Sequence, residues 1–155
     1  MRIMEDTLTS GIAELKRRLA EGEHLVKVGL PDILKETLDG KPVEYDLAAI
    51  ARVNEFGSET RNIPERPAFR RGLGGGAKDF NRLNAVQLRL IALGRQTVQR
   101  ALGLLGLMGA AKVKVEIVEG DFVENAPSTI ARKGSSHPLI ATSQEHNSVT
   151  YQVVE

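Results

Sequence analysis

V-N-E-F-G-S-E-T-R-N-I-P-E-R-P-A-F-R-R-G-L, the stretch Val53–Leu73, contains the local signals that decide how the middle of this chain folds. Gly57 stands where a preceding helix needs a residue that tolerates positive φ. Pro64 and Pro67 each fix their own φ and push the residue before them toward extended geometry. The stretch therefore predicts a helix stop followed by a stiff extended arm at about 58–76.

The helix that leads into this stretch is predicted to begin after Asp46, whose side chain can accept hydrogen bonds from the first helical N–H groups. Leu47, Ile50 and Ala51 are its expected buried residues. Phe56 lies near its end and is predicted to belong to the core. Replacing a core phenylalanine with alanine costs roughly 3–5 kcal/mol, so this expectation is open to test.

The two ends of the chain each contain a segment in which apolar and polar residues alternate. His24–Leu30 places Val26 and Val28 on one side, and Ser148–Val153 alternates in the same way, which is typical of strands. We expect these two strands to pair. A first helix precedes them, and its apolar face is formed by Leu8, Ile12, Leu15 and Leu19.

A long central helix is predicted from about Phe80 to Leu105, with Asp79 as its cap. One polar stripe on this helix either faces water or forms a subunit contact. Its residues are Arg82, Arg89, Gln96 and Arg100. Three glycines after the helix, at positions 103, 106 and 109, are expected to interrupt it. The next segment, Lys112–Val118, alternates like a strand and is therefore ambiguous.

The composition predicts a single domain, residues 1–155, of ordinary globular type. The 155 residues are 41% hydrophobic and 26% charged, which is enough to build a core. The absence of cysteine excludes disulfides and thiol chemistry. The net charge of +1 gives no general attraction to nucleic acid, and no segment suggests a signal peptide or a membrane span. The expected fold class is α+β, with a small, mainly antiparallel sheet packed against helices that include one long central helix.

No motif in the sequence indicates catalysis, a metal site or a bound cofactor, and we expect none of the three. His24, His137 and His146 are scattered and lack metal-binding spacing. The glycine-rich segment 72–76 is not followed by the Lys-Ser/Thr pair of a phosphate-binding loop, so a flexible hinge or loop is predicted there.

Two blocks of the sequence carry a family resemblance. N-E-F-G with I-P-E-R-P-A-F is the first, and A-P-S-T-I-A-R-K-G-S-S-H-P-L-I-A-T with S-V-T-Y-Q-V is the second. Together they resemble a family of tailed-bacteriophage virion proteins called tail completion, neck or virion morphogenesis proteins. Ser143 departs from the family, which has glycine there. The resemblance favours a helix at Lys112–Val118, and a short helical turn beginning at Ser128 or Thr129 is also expected.

The resemblance implies a structural, non-enzymatic protein located in the virion and assembled in the host cytoplasm. It would form a homo-oligomeric ring, a hexamer by analogy, in the neck or upper tail. There it would complete the tail and join it to the head-side connector or stopper and to the tail tube or terminator proteins. Genomic DNA would pass through the ring without sequence-specific binding, and no membrane would be involved. A tail terminator that caps the tail tube is an alternative within the same class.

The extended arm and the helix end before it are the predicted partner interface, because arginines can form bidentate bonds to carboxylates on a neighbouring subunit. The predicted interface residues are Asn54, Glu55, Phe56, Gly57, Arg61, Arg66, Pro67, Arg70 and Arg71. A small DNA-binding accessory protein is the alternative from another class. Its basis is the cluster of Arg61, Arg66, Arg70, Arg71 and Lys78.

Overall fold

A computed structural model of the chain describes residues 2–20, 25–30, 47–134, 136, 138–139 and 144–154. Their fold class is α+β, as the sequence predicts. The helices and strands, in chain order, are α1 Arg2–Leu19, β1 Leu25–Gly29, α2 Leu47–Phe56, α3 Ala68–Gly75, α4 Ala77–Ala92, α5 Val98–Glu119, α6 Pro127–Lys133, α7 Gln144–Ser148 and β2 Thr150–Val154. No helix in these ranges is long and apolar enough to cross a bilayer.

The sheet consists of β1 and β2, which pair in antiparallel orientation as expected. Val26 lies opposite Val153, and Val28 lies opposite Tyr151. The pairing follows from the alternation of apolar residues, since that alternation sends every second side chain of both strands to the same face. This face packs on α5.

Helix α5 is the central element, and it contacts α3, α4, α7 and both strands. Val113, Ile117 and Val149 are almost completely buried and form the middle of the core. The glycines expected to interrupt this region instead lie inside α5. A Cβ atom on Gly106 would come within 2.7 Å of Val26 and closer still to Tyr151, so glycine lets the sheet approach the helix backbone.

The long helix predicted from Phe80 to Leu105 is wrong in its bounds, because the chain breaks between α4 and α5. Gly94 adopts φ 71° after α4, and the hydroxyl of Thr97 accepts a hydrogen bond from Arg100 N at 3.2 Å to cap α5. The predicted polar stripe is therefore divided between two helices and the link. The helix at Lys112–Val118, expected from the resemblance, is confirmed as part of α5.

The segment predicted as an extended arm is mostly folded back on the chain. Ser58 and Ile63 exchange two backbone hydrogen bonds, of 2.8 and 2.9 Å, across a turn in which Asn62 has φ 51°. The predicted glycine-rich hinge belongs largely to α3, whose last residue is Gly75. Extended geometry is thus limited to the few residues around the two prolines.

Several smaller expectations are also wrong. On α2 the predicted burial does not hold for Ile50, which is 39% exposed, or for Phe56, which is 64% exposed. Part of the apolar face of α1 is also open to solvent, since Ile12 is 47% exposed. The expected short helical turn is confirmed as α6, but it begins at Pro127 after the N-cap Ala126, ahead of Ser128 or Thr129. Positions 24, 46, 137 and 143 lie outside the described residues, as do the side chains of positions 8 and 19.

Candidate interface groove

The end of α2 is fixed to the beginning of α3 by a buried carboxylate. Glu55 is only 7% exposed, and its Oε2 and Oε1 accept hydrogen bonds of 2.9 Å from the backbone N–H groups of Phe69 and Arg70. Pro67, the residue before α3, provides no side-chain cap. Glu55 therefore satisfies N–H groups that the helix cannot satisfy itself, and its charge suits the positive end of the helix.

Gly57 allows the chain to turn sharply between these two helices. Its φ of 70° lies in the left-handed region, which confirms the prediction of a helix stop. Its N–H donates to Val53 O at 2.8 Å, and a Cβ atom here would lie 2.9 Å from both Ile63 O and Glu65 N. The position therefore needs glycine both for its backbone angle and for the closeness of the strand-like segment opposite.

Arg66 joins this region to the loop that follows α5. It is 5% exposed, its Nε donates to Val123 O at 2.9 Å, and its Nη2 donates to Glu124 O at 3.2 Å. Its backbone N donates to Asn54 O at 2.6 Å. Burial lowers the pKa of the Arg66 guanidinium. Arg66 thus connects the end of α2 through its backbone N–H and the loop after α5 through its side chain.

Arg70 lies on the same network but nearer the surface. Its guanidinium donates to Glu55 Oε1 at 3.1 Å, to the Glu55 carbonyl at 2.8 Å and to Glu65 Oε2 at 3.1 Å. The hydrogen bonds to Glu65 and Glu55 raise the pKa of Arg70. Its Cζ also lies 5.2 Å from the centroid of the Phe56 ring, within the range of a cation–π contact.

Arg71 makes an equivalent connection on the other side of α3. Its Nη1 donates to Asp121 O at 3.0 Å, and its Cζ lies 4.9 Å from the centroid of the Phe122 ring. Its Nε is 2.8 Å from Glu116 Oε1, yet that oxygen accepts no well-aligned hydrogen bond from the described residues. We describe the pair as an ion pair, since its distance favours attraction even though the alignment is poor.

The network supports one wall of a large open groove of about 1110 Å³. Residues between Asn54 and Arg66, which include part of the first resemblance block, form one side. Residues 123–126, Thr129 and Pro138, which include part of the second block, form the other side. Phe56 and Val123 are 64% and 60% exposed, although both line this groove. The two blocks of sequence that carry the resemblance therefore meet at one surface.

The predicted interface residues divide into three groups in this geometry. Those that line the groove are Asn54, Phe56, Gly57 and Arg66. Glu55, Arg70 and Arg71 support it from behind or beside, with their polar groups bonded within the chain. Arg61 is exposed and Pro67 is half-buried, and neither lines the groove.

Sequence reasoning missed the loop 120–125, which provides Val123 and the carbonyl acceptors for Arg66 and Arg71. The loop has no periodic pattern, and its acceptors are backbone atoms, which every residue possesses. The only available signal was Phe122-Val123, two apolar residues in an otherwise polar segment.

The chemistry of the groove is that of a binding surface. Its lining combines the two exposed apolar side chains with Glu59, Glu65 and Glu124, while its one arginine is bonded to loop carbonyls. Within the described ranges, no three histidine or acidic residues are placed to hold a metal ion. No protein family model, curated protein or solved structure matches this chain. The groove itself is therefore the basis for a functional proposal.

Proposed function

We propose that this protein is a structural virion protein of a tailed bacteriophage that forms a ring in the neck or upper tail and joins the tail to the head connector. The observation that supports this proposal is the meeting of both resemblance blocks at the groove of Phe56 and Val123. Arg66 of the first block and Ala126 of the second are 60 positions apart in the sequence, and the fold brings both to this groove.

The groove has properties that suit a protein partner. Large apolar side chains that stay exposed beside a polar rim are typical of contact sites. Hydrogen bonds that Glu55 accepts and Arg66 donates hold the wall behind them, so binding would not have to order that wall first. A rigid, partly apolar groove is therefore well suited to receive a segment of a neighbouring subunit or of the connector.

The charges refine the nature of that segment. Glu59, Glu65 and Glu124 line the groove and are exposed, although Glu65 is paired with Arg70 at 3.1 Å, whereas Arg66 is buried and bonded to loop carbonyls. The accessible charge is thus acidic, the reverse of an arginine-rich docking arm. We infer that the partner segment has apolar side chains flanked by lysine or arginine.

The DNA-binding alternative receives less support from the same contacts. Arg66, Arg70 and Arg71 belong to the cluster on which it rests, and all three bind carbonyls or carboxylates of their own chain. Phosphate contacts would have to replace these bonds. A salt titration of duplex DNA binding tests the alternative, since several phosphate contacts would give a steep dependence on salt.

The deciding experiment uses the double variant Phe56→Asp/Val123→Asp in the phage genome that encodes the protein, with electron microscopy of the lysate. We expect separate heads and tails, because the substitutions remove both apolar contacts and place charged carboxylates where apolar side chains of the partner would have to cover them. Val86→Asp is the matched control, since Val86 is 51% exposed on α4 and does not line the groove. Its lysate should contain complete particles.

The purified double variant must also melt within a few degrees of the wild type, since both of its side chains are exposed. Complete, infectious particles from that folded variant would overturn the role of the groove. Normal particles from a genome lacking the gene would overturn the whole proposal.

A further inference from the structure

Helix α5 has a second apolar surface, directed away from the core. Five residues form this surface. At 100° per residue their side chains lie within an arc of about 80° around the helix axis, so they form one stripe roughly 21 Å long. All five are exposed, four of them large apolar side chains at 37–57%. The α5 stripe consists of Leu104, Leu107, Ala111, Val115 and Val118.

This surface is unusual for a helix at the outside of a protein. The opposite side of α5 is already buried through Ala110, Val113 and Ile117. A surface helix normally has one apolar face toward the core and polar residues outside, whereas a helix that is apolar all round is buried. The stripe therefore indicates a surface of α5 that is suited to a contact with a partner.

The spacing within the stripe identifies what can cover it. Its members are separated by three, four, four and three residues, a pattern that reads the same in both directions from Ala111. Such a pattern is self-complementary across a twofold axis. We propose that a second copy of this chain covers the α5 stripe in an antiparallel, twofold contact, with Ala111 at the axis.

In this arrangement large residues face large residues, and small ones lie at the centre. Leu107 meets the partner's Val115, Leu104 meets the partner's Val118, and the two Ala111 side chains allow the helices to approach closely. Packing at spacings of three and four residues is the geometry by which two helices interdigitate.

The charges at the two ends of the stripe are complementary in the same orientation. Arg100 lies one turn before Leu104, and Glu119 follows Val118. Both are exposed, and neither has an ion-pair partner in the described part of the chain. Antiparallel pairing brings Arg100 of each copy to the end of the partner helix that carries the partner's Glu119, twice by symmetry. It also aligns the two helix dipoles favourably.

The size of the stripe sets the strength of the contact. A strip about 21 Å long and one helix width across offers on the order of 200 Å² per copy, well below the roughly 800 Å² of a stable interface. An adjoining groove of about 390 Å³ between α5 and β2, lined by Tyr151 and Val153, extends it. The dimer is therefore weak and dependent on concentration.

This contact goes beyond the proposed ring. A ring with different ends, one toward the head and one toward the tail, is built by repeating a heterologous contact, in which two different surfaces of neighbouring subunits meet. A twofold contact instead joins one surface to the same surface of another copy. The α5 dimer is consequently a property of the free protein and does not depend on the groove of Phe56. Its test needs no phage particle.

Sedimentation of the purified chain from micromolar to millimolar concentration provides the first test. The wild type should pass from monomer to dimer, and Leu107→Glu should raise the dissociation constant at least about tenfold. Val86→Glu, on an exposed site of α4 outside the stripe, should dimerise like the wild type. A wild type that stays monomeric at millimolar concentration, or an unchanged constant in Leu107→Glu, overturns the proposal.

Cross-linking tests the twofold geometry directly, because the natural chain has no cysteine. Under mild oxidation Ala111→Cys should give a covalent dimer, since the two thiols meet at the axis. Leu107→Cys is the matched control within the stripe, and its thiols would lie about 12 Å apart along the helices. Equal cross-linking of both variants would indicate that the two helices pack in parallel. No cross-linking of Ala111→Cys would indicate that the two helices do not meet at this position. Either result overturns the proposal.

Discussion

The clearest test of the fold is a comparison of alanine substitutions at two glycines with nearly the same backbone angle. Gly57 has φ 70° and Gly134 has φ 69°. The surroundings differ, because a Cβ on Gly57 would lie 2.9 Å from two backbone atoms, whereas one on Gly134 would meet none of the described residues within 4 Å. The pair therefore separates the cost of the backbone angle from the cost of the collision.

The expected magnitudes follow from these two contributions. The left-handed conformation costs a residue with a Cβ roughly 1–2 kcal/mol, and both variants bear that cost. At Gly57 the atoms in collision belong to the backbone and cannot rotate away, which adds strain of about 1–3 kcal/mol. We expect Gly134→Ala to lose about 1 kcal/mol and Gly57→Ala about 3–4 kcal/mol of the free energy of unfolding.

Urea and thermal denaturation of the two purified variants measure these losses. For a chain of this size each kcal/mol corresponds to roughly 2–4 °C in Tm, so the variants should differ by several degrees. Circular dichroism should show the wild-type helix content for both below the transition. Equal losses in the two variants would refute the collision at Gly57, and an unchanged Gly57→Ala would refute the left-handed turn as well.

Four further substitutions test the network and its electrostatics. Arg66→Ala should lower the free energy of unfolding by about 2–3 kcal/mol in urea, since it leaves two loop carbonyls without their donor, and a loss below about 0.5 kcal/mol would contradict its structural role. Glu55→Ala should cost about 1–2 kcal/mol and speed hydrogen exchange at the start of α3, whereas unchanged exchange rates there would contradict the cap. Phe56→Ala should lower the free energy of unfolding by less than about 1 kcal/mol because its ring is exposed, and a larger loss would indicate that the ring belongs to the core. Lys112 binds Asp79 at 2.6 Å and lowers the pKa of Asp79 below its ordinary 3.8. The ion pair therefore stabilises the fold above that pH, and its contribution is lost as the pH falls further. Below pH 4 the free energy of unfolding should decline less steeply in Asp79→Asn than in the wild type, and equal slopes in the two proteins would contradict the contribution of this pair.

The parts of the fold that could be predicted from sequence are those governed by local patterns. The alternation around Val26 and Tyr151 gave both strands and their antiparallel pairing. The sequence predicts a helix stop at Gly57 because glycine tolerates the positive φ that is common just after the last residue of a helix. These signals involve neighbours within a few residues, which a single sequence displays directly.

The errors arise where distant parts of the chain override local preference. Gly106 looked like a helix breaker, but contact with the sheet makes glycine favourable inside α5. Gly94 and Thr97 did provide a stop signal and a cap signal, which the apolar pattern across them obscured. Arg66 looked free for a partner, since its acceptors lie 57 and 58 residues further along the chain. No local pattern reveals such acceptors.

The pairing of β1 with β2 has a consequence for the order in which the molecule is made. Gly29 pairs with Thr150, so the ribosome must synthesise all of the chain between β1 and β2 before the partner strand exists. Closing a loop of about 120 residues costs roughly 2 kcal/mol more than closing one of ten. Helix α5 emerges earlier, and its glycine surface can hold β1 in place while synthesis continues. We therefore expect a nascent chain that ends shortly after α5 to be helical and partly collapsed, with the sheet completed as the last step of folding.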